Sequence, residues 1–217
     1  MAMKKIALVI PALAFIFLFL TGAALATHEP FVIRYSTALD QQNVEEMTFL
    51  IKKNKEAVPK EVRLLIDEAL APGVTDKERM EKIYLAESMA TEYKNITGDV
   101  LPLKEAKTRV FESGLDPVSE SAAVNGVHTI QATSIAGAKN VFLPGNIVIK
   151  KGETVKWVNG DNVAHLLASM YVIGEQGIFS PRVAPGNSWE YRFDKAGEYY
   201  YICFIHKVMY GKVTVVE

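Results

Sequence analysis

Gly197-Glu-Tyr-Tyr-Tyr-Ile-Cys203-Phe-Ile-His206-Lys-Val-Met209-Tyr-Gly-Lys212-Val-Thr-Val-Val216 is the stretch on which the fold turns. Aromatic and β-branched residues fill Gly197 to Ile202 and again Lys212 to Val216, so both runs read as strands. The residues between them form a loop at one pole of the resulting sheet. Upstream the same texture repeats in Val127 to Ser134, Asn146 to Lys150, Thr154 to Asn159 and Ser188 to Phe193. Turns punctuate it at Pro144-Gly145, Lys151-Gly152, Asn159-Gly160-Asp161, Pro185-Gly186 and Ala196-Gly197. Short strands at this spacing predict an all-β sandwich or barrel over residues 126–217.

Before Gly126 the pattern changes. Val44, Met47, Leu50 and Ile51 keep helical spacing, as do Val62, Leu65, Ile66, Ala69 and Leu70 behind Pro59. Thr75 and Glu78 form a capping-box pattern for a third helix, and a fourth follows Pro102 and ends before Gly114. Each has one apolar and one charged face, which predicts a small all-α domain over residues 27–115. Residues 116–125, rich in Ser, Ala, Asp and Pro, read as its linker to the β domain.

The N-terminus departs from this soluble pattern. Lys4 and Lys5 precede an apolar run from Ile6 to Leu20, and Ala24-Leu25-Ala26 is a small-x-small cleavage pattern. Residues 1–26 therefore read as an export signal, or as an uncleaved membrane anchor through residues 6–26. Lys4 and Lys5 place the rest of the chain outside the cytoplasmic membrane, in the periplasm or its equivalent. The net charge of −1 over 217 residues gives no reason to expect nucleic acid.

The polar loop carries the chemistry. Cys203, the chain's only cysteine, cannot form an intrachain disulfide. His206 and Met209 follow it at three-residue intervals, and His165 lies after the turn that ends Thr154 to Asn159. Thiolate, imidazole and thioether together are the donor types of a blue-copper electron-transfer site. Were all four to coordinate, no position would remain open for a substrate, and catalysis at the metal is not expected. No nucleophile triad, phosphate loop or zinc spacing appears elsewhere, so the chain does not read as an enzyme. His28, near the new N-terminus, reads as a solvated residue, and His128 as a strand residue with no visible partner ligand.

The β region resembles the cupredoxin family, most closely its amicyanin and plastocyanin branches. The matching residues are Phe142-Leu-Pro-Gly-Asn-Ile, Lys151-Gly-Glu-Thr-Val-Lys-Trp-Val-Asn, His165, Pro185-Gly-Asn-Ser, Phe193, Gly197-Glu-Tyr-Tyr-Tyr, the Cys203 loop and Gly211-Lys-Val-Thr-Val. The resemblance covers about residues 122–217 and implies a Greek-key sandwich holding one type 1 copper that cycles between Cu+ and Cu2+. It implies that His165, Cys203 and His206 form the trigonal plane and that Met209 is the weak axial ligand. It also implies redox-protein donors and acceptors docking near His206. The sequence departs from the family at Leu166, where Asn is usual, and at Ile205, where proline is common. An Ile205 N–H can donate to the Cys203 sulfur, which proline cannot.

The resulting expectation is an exported protein that transfers single electrons. Two alternatives use the same residues: a copper delivery or storage protein, and a docking subunit of a membrane-associated oxidoreductase.

Overall fold

Strand β4 (Thr154–Asn159) shows how the C-terminal half builds its core: Val155, Trp157 and Asn159 are buried while the residues between them are only partly so. That two-residue period is what a pleated strand imposes on side chains. The computed structural model describes residues 28–119, 123–135, 139–170 and 173–217. The export signal or anchor expected at residues 1–26 lies outside them. Among the described residues no helix is long and apolar enough to cross a membrane.

The other strands are β1 (Val127–Ile135), β2 (Lys139–Leu143), β3 (Asn146–Lys150), β5 (Leu167–Ser169), β6 (Ser188–Arg192), β7 (Gly197–Cys203) and β8 (Tyr210–Val216). They form two four-stranded sheets, ordered β2-β1-β4-β6 and β3-β8-β7-β5. The pairs β1–β4 and β3–β8 are parallel and the remaining neighbours antiparallel. Inward residues of both sheets meet in one core that includes Ile130, Phe142, Val155, Trp157, Phe193 and Tyr201. Cys203 and Met209 belong to the same core. On β8, Gly211 is fixed by close approach, because a Cβ there would stand 2.5 Å from the Tyr201 hydroxyl and 2.8 Å from the Gly145 carbonyl.

Two strands escape the sequence reading. Strand β2 begins with Lys139 and Asn140, poor strand formers, and is held by pairing Gln131 through Ile135 of β1 with its five residues. Strand β5 has three residues, too few for a periodic signal, and exists because Leu167 to Ser169 pair with Cys203 to Tyr201.

The helical part contains α1 (Pro30–Asp40), α2 (Val44–Lys53), α3 (Val58–Ala69), α4 (Asp76–Thr97) and α5 (Leu103–Glu112). Four helices were expected, and α1 is the addition. Pro30 at its first turn is a favourable helix start, and Phe31, Val32, Tyr35 and Ala38 form its buried face. The capping box of α4 is formed: Thr75 N–H donates to Glu78 Oε2 at 3.0 Å and Glu78 N–H to Thr75 Oγ1 at 3.2 Å. The chain divides into two compact units, one of residues up to Leu65 with Tyr84–Leu101, the other of Ile66–Ile83 with Pro102–Glu217. In the first, His28 is buried, with its Nδ1 2.8 Å from Glu61 Oε2, so it is not the solvated residue expected.

In the second unit, the C-terminal end of α5 meets the outer face of β7 and β8. The Phe111 and Tyr210 rings meet edge-on at 5.2 Å. Tyr200 Oη donates to Glu112 Oε1 at 2.7 Å, and Lys212 Nζ donates to the same oxygen at 3.0 Å while pairing with Glu198. Tyr200 points away from the sandwich core yet is only 2 % exposed, with Glu112 at its hydroxyl and Gly174 and the Lys212 ammonium against its ring. Burial pushes its hydroxyl up to about 12, so it donates as a neutral phenol. The Tyr200 hydroxyl, and after it the Lys212 ammonium, hold Glu112 below the usual carboxylate range.

A carboxylate depressed in the folded state contributes stability that is complete above its ordinary pKa and is lost as pH falls through the lowered value. Hydrogen exchange of the α5 amides is therefore expected to quicken, beyond its intrinsic pH trend, between about pH 6 and about pH 3. In Glu112→Gln this extra change disappears. Because the Glu112 side chain is 45 % exposed, the effect amounts to no more than about 1 kcal/mol.

Candidate metal centre

Each residue of the candidate site is fixed by backbone pairing before any metal is considered. His165 exchanges two backbone hydrogen bonds with Val183, N–H to O at 3.0 Å and O to N–H at 2.8 Å. Two residues on, Leu167 pairs with Cys203, and Phe204 N–H donates to the Leu166 carbonyl at 2.6 Å. The backbone itself thus ties the His165 segment to the Cys203 loop, whatever side chain stands at 166. Within the loop, Cys203 N–H donates to Met209 O at 2.8 Å and Met209 N–H to His206 O at 2.8 Å. Those two bonds fold Cys203 to Met209 into a tight turn that carries three of the four expected residues.

The side chains converge. His165 Nδ1 and His206 Nδ1 are each 3.5 Å from Cys203 Sγ and 3.3 Å from one another. All three atoms lie within 4.8 Å of each other. Dividing the side of so nearly equilateral a triangle by the square root of three puts its centre about 2 Å from every corner, the length of a metal–imidazole bond. Thiolate and two imidazoles aimed at one point are a donor set that fits copper. Met209 is 1 % exposed and is held beside the cluster by its two backbone bonds.

His165 and Cys203 are fully buried, whereas His206 is half-buried and reaches the surface between Ile205 and Lys207. Burial, and after it the neighbouring His165, push His206 below the ordinary histidine value. Its ring is therefore neutral at neutral pH, the form that ligates a metal. Lys207, whose ammonium sits 5.4 Å over the Phe204 ring, is pushed down to about 8 by burial.

One expectation changes at the sulfur. Among the described residues the backbone donor on Cys203 Sγ is the His206 N–H at 3.4 Å, one residue beyond Ile205. The chain after Cys203 turns so that the amide three residues on, not two, points back at the sulfur. Ile205 instead is 42 % exposed.

Sequence reading missed Asp161. Its Oδ2 is 3.0 Å from His165 Nε2, and both side chains are almost completely buried. Its other oxygen accepts from the Ser134 hydroxyl. The available signal was an acidic residue four places before a candidate ligand, inside a turn. His128 lies apart from this cluster, with its Nε2 3.0 Å from Glu153 Oε2.

The β domain matches the model of the copper-binding proteins of the plastocyanin/azurin family over residues 129–216. The chain is 36 % identical to amicyanin from Paracoccus versutus over 78 residues, which are 36 % of this chain and 59 % of the amicyanin. It is 32 % identical to the chloroplastic plastocyanin of Tetradesmus obliquus over 135 residues, covering 54 % of this chain and 93 % of that protein. Among solved structures, a purple cupredoxin from Nitrosopumilus maritimus aligns with 41 % of this chain and 98 % of its own, at 33 % identity and a TM-score of 0.37. A β-sandwich with a His–Cys–His cluster at one pole is the architecture of a type 1 copper protein. The chain belongs to the plastocyanin/azurin family of copper-binding proteins.

Proposed function

We propose that this protein is an exported carrier of single electrons between redox proteins. His165, Cys203, His206 and Met209 are the residues that would hold copper, through two imidazoles, a thiolate and a thioether. The observation that carries this reading is the convergence of His165 Nδ1, Cys203 Sγ and His206 Nδ1 on one buried point, with each backbone already hydrogen-bonded in place. Copper bound there supplies a one-electron couple between Cu+ and Cu2+.

The rest of the function belongs to the protein. A site whose ligands are fixed by β pairing changes little between oxidation states, so electron transfer meets a low reorganisation barrier. The buried Cys203 and His165 exclude water and substrates, which favours a carrier over a catalyst. His206 provides the exposed edge, and Phe204, Ile205 and Val208 around it suit brief docking of a partner. We assign the copper domain to residues 126–217, joined through 116–125 to the helical residues 27–115. Residues 1–26 direct the chain across the cytoplasmic membrane or anchor it there.

The test is reversible redox cycling of the purified protein loaded with Cu(II). Rapid self-exchange, seen as line broadening in mixtures of oxidised and reduced protein, is expected. A protein that retains only Cu(I), passes it to a chelating acceptor and shows no reversible couple would be a delivery protein instead.

A further inference from the structure

We propose that Asp161 is a positioning residue that fixes His165 as its Nε2–H tautomer and, by its negative charge, biases the copper couple toward the oxidised state. The second half rests on the copper reading above; the first does not.

The geometry is closed on every side. Asp161 Oδ2 lies 3.0 Å from His165 Nε2, with the two side chains 4 % and 1 % exposed. An ionised carboxylate only accepts hydrogen bonds, so the Nε2 facing it must carry the proton. That leaves His165 Nδ1 with a bare lone pair, and it is this atom that faces Cys203 Sγ and His206 Nδ1. The reverse tautomer would set a lone pair against a carboxylate oxygen and a proton into the ligand cluster.

Asp161 is itself held. Ser134 Oγ donates to Oδ1, and the Asp161 N–H donates to Asn159 Oδ1 at 2.9 Å. Asn159 Nδ2 donates to the carbonyls of Val163 at 2.8 Å and Val183 at 3.0 Å. Val183 is the residue that pairs with His165, so the network returns to its start. A backbone carbonyl would orient the ring equally well. What a carboxylate adds is charge, which makes the imidazole a stronger donor and stabilises Cu(II) more than Cu(I).

The test has a copper-free arm and a copper arm. In the metal-free protein with the His165 ring neutral, its 15N shifts are expected to show the Nε2–H form. An Nδ1–H form would overturn the proposal. With copper, Asp161→Asn keeps an acceptor for Nε2–H but removes the charge, so its reduction potential is expected to rise while the tautomer persists. Asp161→Ala removes both and is expected to weaken Cu(II) binding about 10- to 100-fold. Ser134→Ala leaves more charge on the carboxylate and should shift the potential the opposite way, which serves if Asp161→Ala does not fold. An unchanged potential in Asp161→Asn overturns the charge effect. Wild-type protein that takes up no Cu(II) overturns the copper reading instead, and the metal-free tautomer then decides the positioning role alone.

Discussion

Cys203→Ser is expected to abolish the intense visible band of the Cu(II)-loaded protein and to turn its EPR spectrum into that of an ordinary oxygen- and nitrogen-ligated copper. The band of a blue site is charge transfer from a thiolate, and a serine hydroxyl neither ionises near neutral pH nor offers a sulfur orbital. The substitution is nearly isosteric. Cys203 is fully buried, and its backbone N–H bonds Met209 O whichever side chain is present. The sandwich therefore persists, and loss of colour would report on the ligand rather than on unfolding. His165 and His206 remain, so some copper still binds, without the colour. Persistence of the band in Cys203→Ser would exclude this cysteine from the site.

Trp157→Ala is expected to be the most damaging single change in the core. Trp157 is 1 % exposed on β4 and touches three other aromatic rings: Trp189 stacked at 5.5 Å, Tyr201 edge-on at 5.4 Å and Phe193 at 6.5 Å. The contact with Tyr201 joins the two sheets, since β4 lies in one and β7 in the other. Removing an indole from such a place costs about 3–5 kcal/mol. Urea denaturation of the metal-free protein, followed by fluorescence, measures it directly. The only tryptophans are Trp157 and Trp189, both in the β domain, so the variant keeps Trp189 as its reporter. A midpoint within error of wild type would mean that Trp157 does not hold the sheets together. The same strand leads into the Asn159–Asp161 turn, so copper affinity should fall along with stability.

The strands that sequence reading finds are those whose own residues alternate or carry β-branched runs. Thr154 to Asn159 and Asn146 to Lys150 emerge with the bounds expected. Strands β2 and β5 stayed hidden because partners create them, β1 in one case and β7 in the other. Helix α1 stayed hidden for a different reason. Val32, Ile33 and Thr37 are β-branched residues that weaken a helical reading, and packing of Phe31 and Tyr35 outweighs their propensity.

The metal centre divides in the same way. The residue types and the three-residue spacing of Cys203, His206 and Met209 are written in the chain, and they suffice to point to copper. Sequence alone also determines that two strands flank the loop, which puts the ligands at a pole of the sandwich. Only the tertiary structure brings His165, 38 residues upstream of Cys203, to within 3.5 Å of its sulfur. Only there does Asp161 meet His165, the His206 N–H rather than that of Ile205 reach the sulfur, and Glu112 of α5 accept from Tyr200. The physical reason is range. Donor chemistry and strand periodicity are local properties of a few residues, whereas the orientation of a ligand ring is set by hydrogen bonds that exist only after distant segments have paired.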